Sequence, residues 1–404
     1  MFLTILAAIC VVLLICLFSY LNVAIAPNTG NPHKYRILAT VLQIFDDLAK
    51  LRAWWTGRDY AEFMNGYLSM MVVRVSEKNP DIKVTEDTFD GVQVFIYQRH
   101  GTRQNRPGLM FYHGGGFMFG HPFMCETLIV EFVKKFDIVV VAPRYTLSAV
   151  SKAPAQHEDC KTATNYFFRN AEKFGVNPKI IGSSGDSAGG NLAAAMCIIM
   201  KDRKKHQFAF QVLIYPWTQV LDNNSPSRQQ NYPTAYRIMT RDNAPLCLSY
   251  LFGVDRESTA DIRDNKHVDE ATWNKYKAYM NIDDIPPSGI PHNYKNVRPT
   301  DSEINRELAE KIKTNMTNPH VFPLCADDLS GLPPAFVLVV ENDPIRDDGI
   351  WYAKRLERSG VKVTTYLTNG FHGMMTLTEP PMVIDAAVKA LDEMFGFMAP
   401  FCDQ

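Results

Sequence analysis

The sequence has almost no surplus charge: 42 Lys and Arg stand against 43 Asp and Glu, a net −1. That balance offers nothing to a polyanion, so nucleic acid is not an expected partner. The one basic run, KDRKKH at 201–206, reads as the solvated end of a helix. Closely spaced cysteines are missing too. The eight cysteines, at positions 10, 16, 125, 160, 197, 247, 325 and 402, contain no pair with the spacing of a zinc site or a redox motif. Cys10, Cys16 and Cys197 lie in apolar surroundings and read as small hydrophobes. A disulfide among Cys125, Cys160, Cys247, Cys325 and Cys402 stays open, because spacing cannot choose a pairing. Internal repeats, heptads and low-complexity tracts are also absent, which excludes solenoids and coiled coils. What remains is a chain of 404 residues, 46% apolar and 21% charged, with room for one large domain or two ordinary ones.

One hydrophobic run is unusually long. Residues 1–18 carry no charge, and apolar character continues past Asn22 to Ala26. About 20 such residues cross a bilayer as a helix. Two readings fit: an uncleaved anchor over residues 1–26, or a signal peptide cut after Ala24-Ile25-Ala26. Pro27 just beyond the cut, and a run longer than a signal core of roughly 7–15 residues, favour the anchor. The side of the membrane stays open. Lys34 and Arg36 after the run place the rest of the chain in the cytosol. Asn315-Met316-Thr317, an N-glycosylation acceptor, argues for the other side, and Asn223-Asn224-Ser225 is a poorer acceptor because Pro226 follows.

Beyond the run, residues 35–71 show apolar spacing of helical type, with Trp54 and Trp55. Strand patterns then alternate with helix patterns. Strands are expected at 83–86, 92–98, 108–112, 138–142, 179–182, 210–215, 334–340 and 362–367. Helices are expected at 155–174, 192–201, 349–359 and 381–395. That alternation predicts an α/β fold with a mostly parallel sheet between helices. The pattern breaks between 215 and 334, too long a stretch for a structureless loop. It reads in part as an inserted lid, packing with 35–71 over the sheet end where ligands bind. The expected division is 1–26 membrane anchor, 27–82 cap helices, 83–220 with 328–404 the catalytic domain, and 221–327 a cap insertion.

Gly185-Asp186-Ser187-Ala188-Gly189 is G-x-S-x-G between a predicted strand and a predicted helix. By composition alone the pattern arises in roughly one chain of this length in ten. Its context makes it informative, because a serine on a sharp strand-to-helix turn is presented as a nucleophile. Such a serine needs a base, and the base needs an acid to orient it, in the chain order Ser, Asp or Glu, His. Asp343 follows the strand ending near 340, and His372 follows the last strand. Glu341 is set to point away, while Asp347 and Asp348 suit the first turn of the next helix. An oxyanion needs N–H donors. His113-Gly114-Gly115-Gly116 after the strand 108–112 supplies side-chain-free backbone, and Ala188 N–H stands beside the serine.

HGGGF, GDSAGGNLAAA, DPIRDDG and GFHG together resemble the hormone-sensitive-lipase branch of the α/β-hydrolases. Within it, GLPPAFVLVVENDPIRDDGIWYAKRLERSGVKV and the N-terminal run are most similar to the arylacetamide-deacetylase-like proteins. The likeness runs from about residue 54 to the C-terminus and is loosest over 221–327. It implies an α/β-hydrolase fold with a helical cap from the N-terminal region and the insertion. It makes Ser187 the nucleophile, His372 the base, Asp343 its orienter, and Gly115, Gly116 and Ala188 the oxyanion donors, with Gly114 shaping the loop after His113. No metal or organic cofactor is implied. The expected substrate is a hydrophobic ester, either an acylated lipid or an aryl acyl compound. The family's usual setting is a single-pass type II protein facing the endoplasmic reticulum lumen, in agreement with Asn315. A noncatalytic receptor on the same scaffold is the rival reading, and the presence of His372 opposes it.

Overall fold

The computed structural model describes residues 2–26, 28–101, 103–204, 206–235 and 239–403, without the side chains of residues 2–4 and 8. Met1 of the apolar run, and Pro27 after it, lie outside the described residues. In chain order, α1 (Phe2–Asn22) is followed by α2 (Pro32–Thr56) and α3 (Tyr60–Ser69). Pro32 starts α2 with its φ already helical, and Gly57 ends it in left-handed backbone. The Asp59 side chain caps α3 by accepting Ala61 N–H. Strands β1 (Ile82–Phe89) and β2 (Val92–Arg99) form a hairpin across Asp90-Gly91, both with positive φ.

The alternation then runs β3 (Arg106–Tyr112), α4 (Glu126–Phe136), β4 (Val139–Pro143), α5 (Ala155–Asn170), β5 (Val176–Asp186), α6 (Ala188–Arg203) and β6 (Phe210–Ile214). Helices α7 (Pro226–Asn231), α8 (Asn243–Phe252), α9 (Ser258–Arg263), α10 (Glu270–Tyr276) and α11 (Arg306–Met316) follow. The chain closes with β7 (Ala335–Asn342), α12 (Arg346–Arg358), β8 (Val363–Phe371) and α13 (Asp385–Cys402).

The strands form one sheet in the order β1-β2-β4-β3-β5-β6-β7-β8, antiparallel at β1/β2 and β2/β4 and parallel elsewhere. Every residue of β3, β4 and β6 is buried, as strands covered on both faces must be. The order reverses at β3: the chain steps outward to β4, then returns to β5 on the other side. The carboxyl ends of β3 and β5 therefore lie side by side, with Tyr112 opposite Gly185. This is the crevice where such sheets bind ligands.

Several boundaries differ from the sequence expectation. Helix α12 starts at Arg346 because Asp347 and Asp348 fill its first turn. Helix α13 starts at Asp385, not 381, and Pro380-Pro381 instead walls a cavity. The stretch 221–327 divides. Its part around α8 faces α2 and α3, with Tyr250 OH donating to Asp59 Oδ1 at 2.8 Å. The later part lies along α12, where Trp351 Nε1 donates to Asn281 O at 2.9 Å and Arg355 Nη1 to Leu324 O at 2.6 Å. All eight cysteines are free thiols.

Candidate active site

Strand β5 ends at Asp186 and α6 begins at Ala188, so Ser187 alone makes the corner between them. Its backbone takes φ 58° and ψ −120°, a region that costs a residue with a side chain about 1–3 kcal/mol. Neighbours hold it there. Ser187 N–H donates to Ile214 O at 2.9 Å, and Ser187 O accepts from Asn191 N–H at 3.0 Å and Trp217 N–H at 3.1 Å. The corner tolerates no side chain at Gly189, where a Cβ would sit 1.9 Å from Tyr112 O. Any larger residue would force α6 away from β3.

The sequence nominates three residues from three strand ends, and the fold brings them into one line. His372 Nε2 is 2.8 Å from Ser187 Oγ, and His372 Nδ1 is 2.7 Å from Asp343 Oδ2. The second carboxylate oxygen of Asp343 accepts Ile345 N–H at 2.9 Å, which fixes the plane of the carboxylate. Asp343 is fully buried, and Ser187 and His372 keep only a sliver of exposure. An imidazole so held can receive a proton from the serine at one nitrogen while the other stays bonded to the acid.

The loop after β3 faces this line from the neighbouring strand end. Gly115 and Gly116 adopt φ of 109° and 60°. Among the described residues, the N–H groups of Gly115, Gly116 and Ala188 donate to no protein atom. Gly114 N–H, by contrast, is taken up by Asp186 Oδ1 at 2.8 Å, so Gly114 shapes the loop and does not face outward as a donor. The His113 ring stacks on Tyr145, with centroids 4.2 Å apart, and Tyr145 OH donates to His113 O at 2.9 Å. Burial lowers the His113 pKa to about 3, which keeps the ring neutral.

Sequence reasoning missed Asp186 and Asn65. Asp186 occupies the variable position of G-x-S-x-G, and its buried carboxylate also takes the Cys125 Sγ–H at 3.3 Å. Burial raises the Asp186 pKa, and the Cys125 and Gly114 hydrogen bonds pull it back. The Cys125 thiol is pushed well up by burial and by the Asp186 charge, which keeps it protonated as a donor. Asn65 on α3 accepts Gly120 N–H at 3.0 Å and donates to Met118 O at 3.3 Å, tying the N-terminal helices to the same loop. Neither residue has a local signal, because each acts on a loop remote in the chain.

Above Ser187 opens a cavity of about 360 Å³ lined by Leu38, Leu42, Leu68, Phe119, Trp217, Cys247 and Met382 among others. Its walls come from α2, α3, α8 and the segment before α13, and they are mostly apolar. Among the described residues, no group of three or more His, Cys, Asp or Glu stands together as a metal site. Asp347 and Asp348 pair with Arg346 and Arg228. Asn315 sits in the last turn of α11, and its Nδ2, the atom that would carry a glycan, donates to Ala153 O at 3.2 Å.

A sequence-family profile described as the alpha/beta hydrolase fold matches residues 109–272 and 292–376, most of the chain and every strand from β4 to β8. The chain belongs to the α/β-hydrolase family. This α/β-hydrolase is 33% identical to arylacetamide deacetylase of Rattus norvegicus over 368 residues, 89% of this chain and 91% of that protein. It is 31% identical to neutral cholesterol ester hydrolase 1 of the same organism, over 82% of this chain and 84% of that one. The chain lies in the hormone-sensitive-lipase branch of that family, and it is a carboxylic ester hydrolase. Among solved structures, the hyperthermophilic esterase of Pyrobaculum calidifontis superposes with a TM-score of 0.61 at 26% identity, over 90% of this chain and 97% of that one. A bacterial heroin esterase shares the fold, with a TM-score of 0.62 at 23% identity, over 89% and 93%.

Proposed function

We propose that this carboxylic ester hydrolase works through an acyl-enzyme on Ser187, with His372 carrying the proton and Asp343 orienting it. The observation that carries the reading is the line Asp343–His372–Ser187, with contacts of 2.7 and 2.8 Å at the foot of an apolar cavity. Ser187 Oγ attacks the ester carbonyl and passes its proton to His372 Nε2. The carbonyl oxygen gains charge and meets the N–H groups of Gly115, Gly116 and Ala188. His372 then protonates the departing alkoxide, which leaves as the alcohol. Water enters, gives a proton to His372 and attacks the acyl group, and the acid departs as Ser187 is restored.

The cavity's apolar walls suit a hydrophobic ester, an acylated lipid or an aryl acyl compound, in keeping with the names of the relatives. Helix α1 holds an 18-residue stretch, Ile5–Asn22, long and apolar enough to cross a bilayer and not buried in the protein, and we read it as a membrane anchor. A single-pass type II arrangement in the endoplasmic reticulum, with the catalytic part luminal, follows the family. Protease digestion of sealed microsomes tests it: full protection of the catalytic part is expected, and digestion without detergent overturns the luminal side.

The activity test is hydrolysis of p-nitrophenyl acetate, butyrate and longer esters by the wild type beside Ser187→Ala, with fluorophosphonate labelling of both. Turnover and labelling are expected in the wild type, and both should vanish in the variant. A folded wild type that neither turns over nor labels removes the mechanism and favours a ligand-binding role for the cavity. Activity that survives in Ser187→Ala moves the nucleophile elsewhere.

A further inference from the structure

We propose that α2 lies in the plane of a phospholipid surface, with its outer face among the lipid headgroups, and that acyl substrates reach the cavity from the leaflet past this helix. The proposal rests on the reading of α1 as a membrane anchor. Helix α2 has two apolar faces where a surface helix ordinarily has one. The inner face, which includes Leu38, Ala39, Leu42 and Ala49, is buried, and Leu38 and Leu42 line the cavity. The outer face runs through Ile37, Val41, Ile44, Leu48, Leu51 and Trp55, alternating steps of four and three residues. That spacing draws one stripe along a helix of 3.6-residue period, on the side away from the buried residues.

The stripe is exposed towards both ends and half-buried at Val41 and Ile44. Ile37, Leu48 and Leu51 are 47%, 41% and 52% exposed, and Trp54 and Trp55 are 82% and 81% exposed. Single exposed hydrophobes need no account, but exposed apolar residues towards both ends of one stripe, beside two bare indoles, do. Tryptophan is the side chain that gathers at membrane–water interfaces, with its ring among the acyl chains and its N–H in the headgroup layer.

Two further observations name the occupant. Tyr20 OH at the end of α1 is 3.1 Å from His33 Nδ1 in the first turn of α2, so α2 begins where the anchor leaves the bilayer. Helix α2 carries Lys34, Arg36, Lys50 and Arg52 against Asp46 and Asp47, and Arg58 beyond its end pairs with Glu62. Asp46 is buried and held by Lys50 and Tyr60 OH, which leaves Lys34, Arg36 and Arg52 against Asp47 to meet lipid phosphates. The helix thus separates a lipid surface on one side from the acyl cavity on the other.

The full chain, reconstituted in vesicles of phosphatidylcholine and phosphatidylserine with brominated acyl chains, tests this through tryptophan emission. Trp217 and Trp351 are buried and Trp273, on α10, is half-buried under Arg298, so the quenched fraction should fall sharply in Trp54→Phe/Trp55→Phe. Quenching that is equal in wild type and variant overturns the proposal. A second variant, Leu48→Glu/Leu51→Glu/Trp55→Glu, should lose tenfold or more in kcat/KM on a long-chain ester dissolved in the vesicles. It should keep wild-type kinetics on p-nitrophenyl acetate in solution, and unchanged rates on both substrates overturn the proposal. Alkaline carbonate flotation of the same vesicles reads α1 separately. A chain that stays on the vesicles with Trp54 and Trp55 unquenched keeps its anchor and loses the proposal. Quenching in a chain that carbonate strips away upholds α2 at the surface and removes the anchor. A dimer that the triple variant dissolves, without quenching in the wild type, gives the face to a second copy and overturns the lipid.

Discussion

At the scale of single residues, the site depends on which atom carries which proton. Asp343 uses one oxygen on Ile345 N–H and the other on His372 Nδ1. In Asp343→Asn the amide oxygen stays with Ile345 N–H, so the NH₂ group faces His372. His372 Nδ1 must then accept, its Nε2 carries the hydrogen, and no lone pair is left for Ser187. We expect kcat on p-nitrophenyl butyrate to fall about 10⁴-fold with the melting temperature nearly unchanged. A variant that keeps a tenth of the activity would show that Asp343 does not set the tautomer. Asp186 separates charge from geometry. Its Oδ1 holds Gly114 N–H and Cys125 Sγ–H, both of which an asparagine oxygen can accept. Asp186→Asn should keep kcat within about threefold, whereas Asp186→Ala leaves a buried N–H unpaired, at about 1–3 kcal/mol, and lets the loop drift. Parallel kinetics and thermal melts of the pair check this, and equal loss in both would mean that the charge itself is used.

At the scale of elements, the cavity's walls decide which acyl chains fit. Leu42 lies on the inner face of α2 and on the cavity lining. Leu42→Trp adds an indole to a space of about 360 Å³. We expect at least a tenfold drop on decanoate relative to acetate, since each methylene excluded from an apolar pocket costs about 1–3 kcal/mol. A chain-length series checks it, and an unchanged profile would place the acyl chain along another wall. Elements also differ in how well sequence reveals them. Strands buried on both faces, such as Val139–Pro143, stand out because their apolar run is continuous. The turns of Ser187 and of Gly114–Gly116 stand out because tight backbone demands glycine. The division of 221–327 leaves no such trace. Its helices are short, and what sorts them is contact with α8's neighbours on one side and with α12 on the other. Asp186 and Asn65 were illegible for the same reason, since their partners lie 72 and 55 residues away.

At the scale of the whole molecule, buried histidines tie stability to acid. His113 is lowered to about 3, and His157 and His267 to about 4, in each case first by burial. In the unfolded chain they take up protons near pH 6.5. As pH falls from there towards 4, the unfolded state binds protons that the folded state refuses, so stability is lost on the acid side. Each histidine contributes a slope of about 1.4 kcal/mol per pH unit within that window. Two buried carboxylates oppose them. Asp186 is raised by burial, and Asp348 is raised to about 6 by burial against the pull of Arg228. Asp348 holds a proton in the fold that the unfolded chain has released, so it adds stability as pH falls through the same range, and Asp186 acts in the same direction. With the half-buried His121 also lowered to about 4, four histidines against two carboxylates leave a net uptake of roughly two to three protons on unfolding near pH 5. Calorimetric melts across pH 4.5 to 6.5 measure that number directly. His267 Nε2 reaches Val220 O at 2.9 Å, a bond that a glutamine amide can also donate. His267→Gln should therefore reduce the uptake by about one proton and flatten the acid limb. A variant with the wild-type slope would show that His267 accepts its proton while still folded.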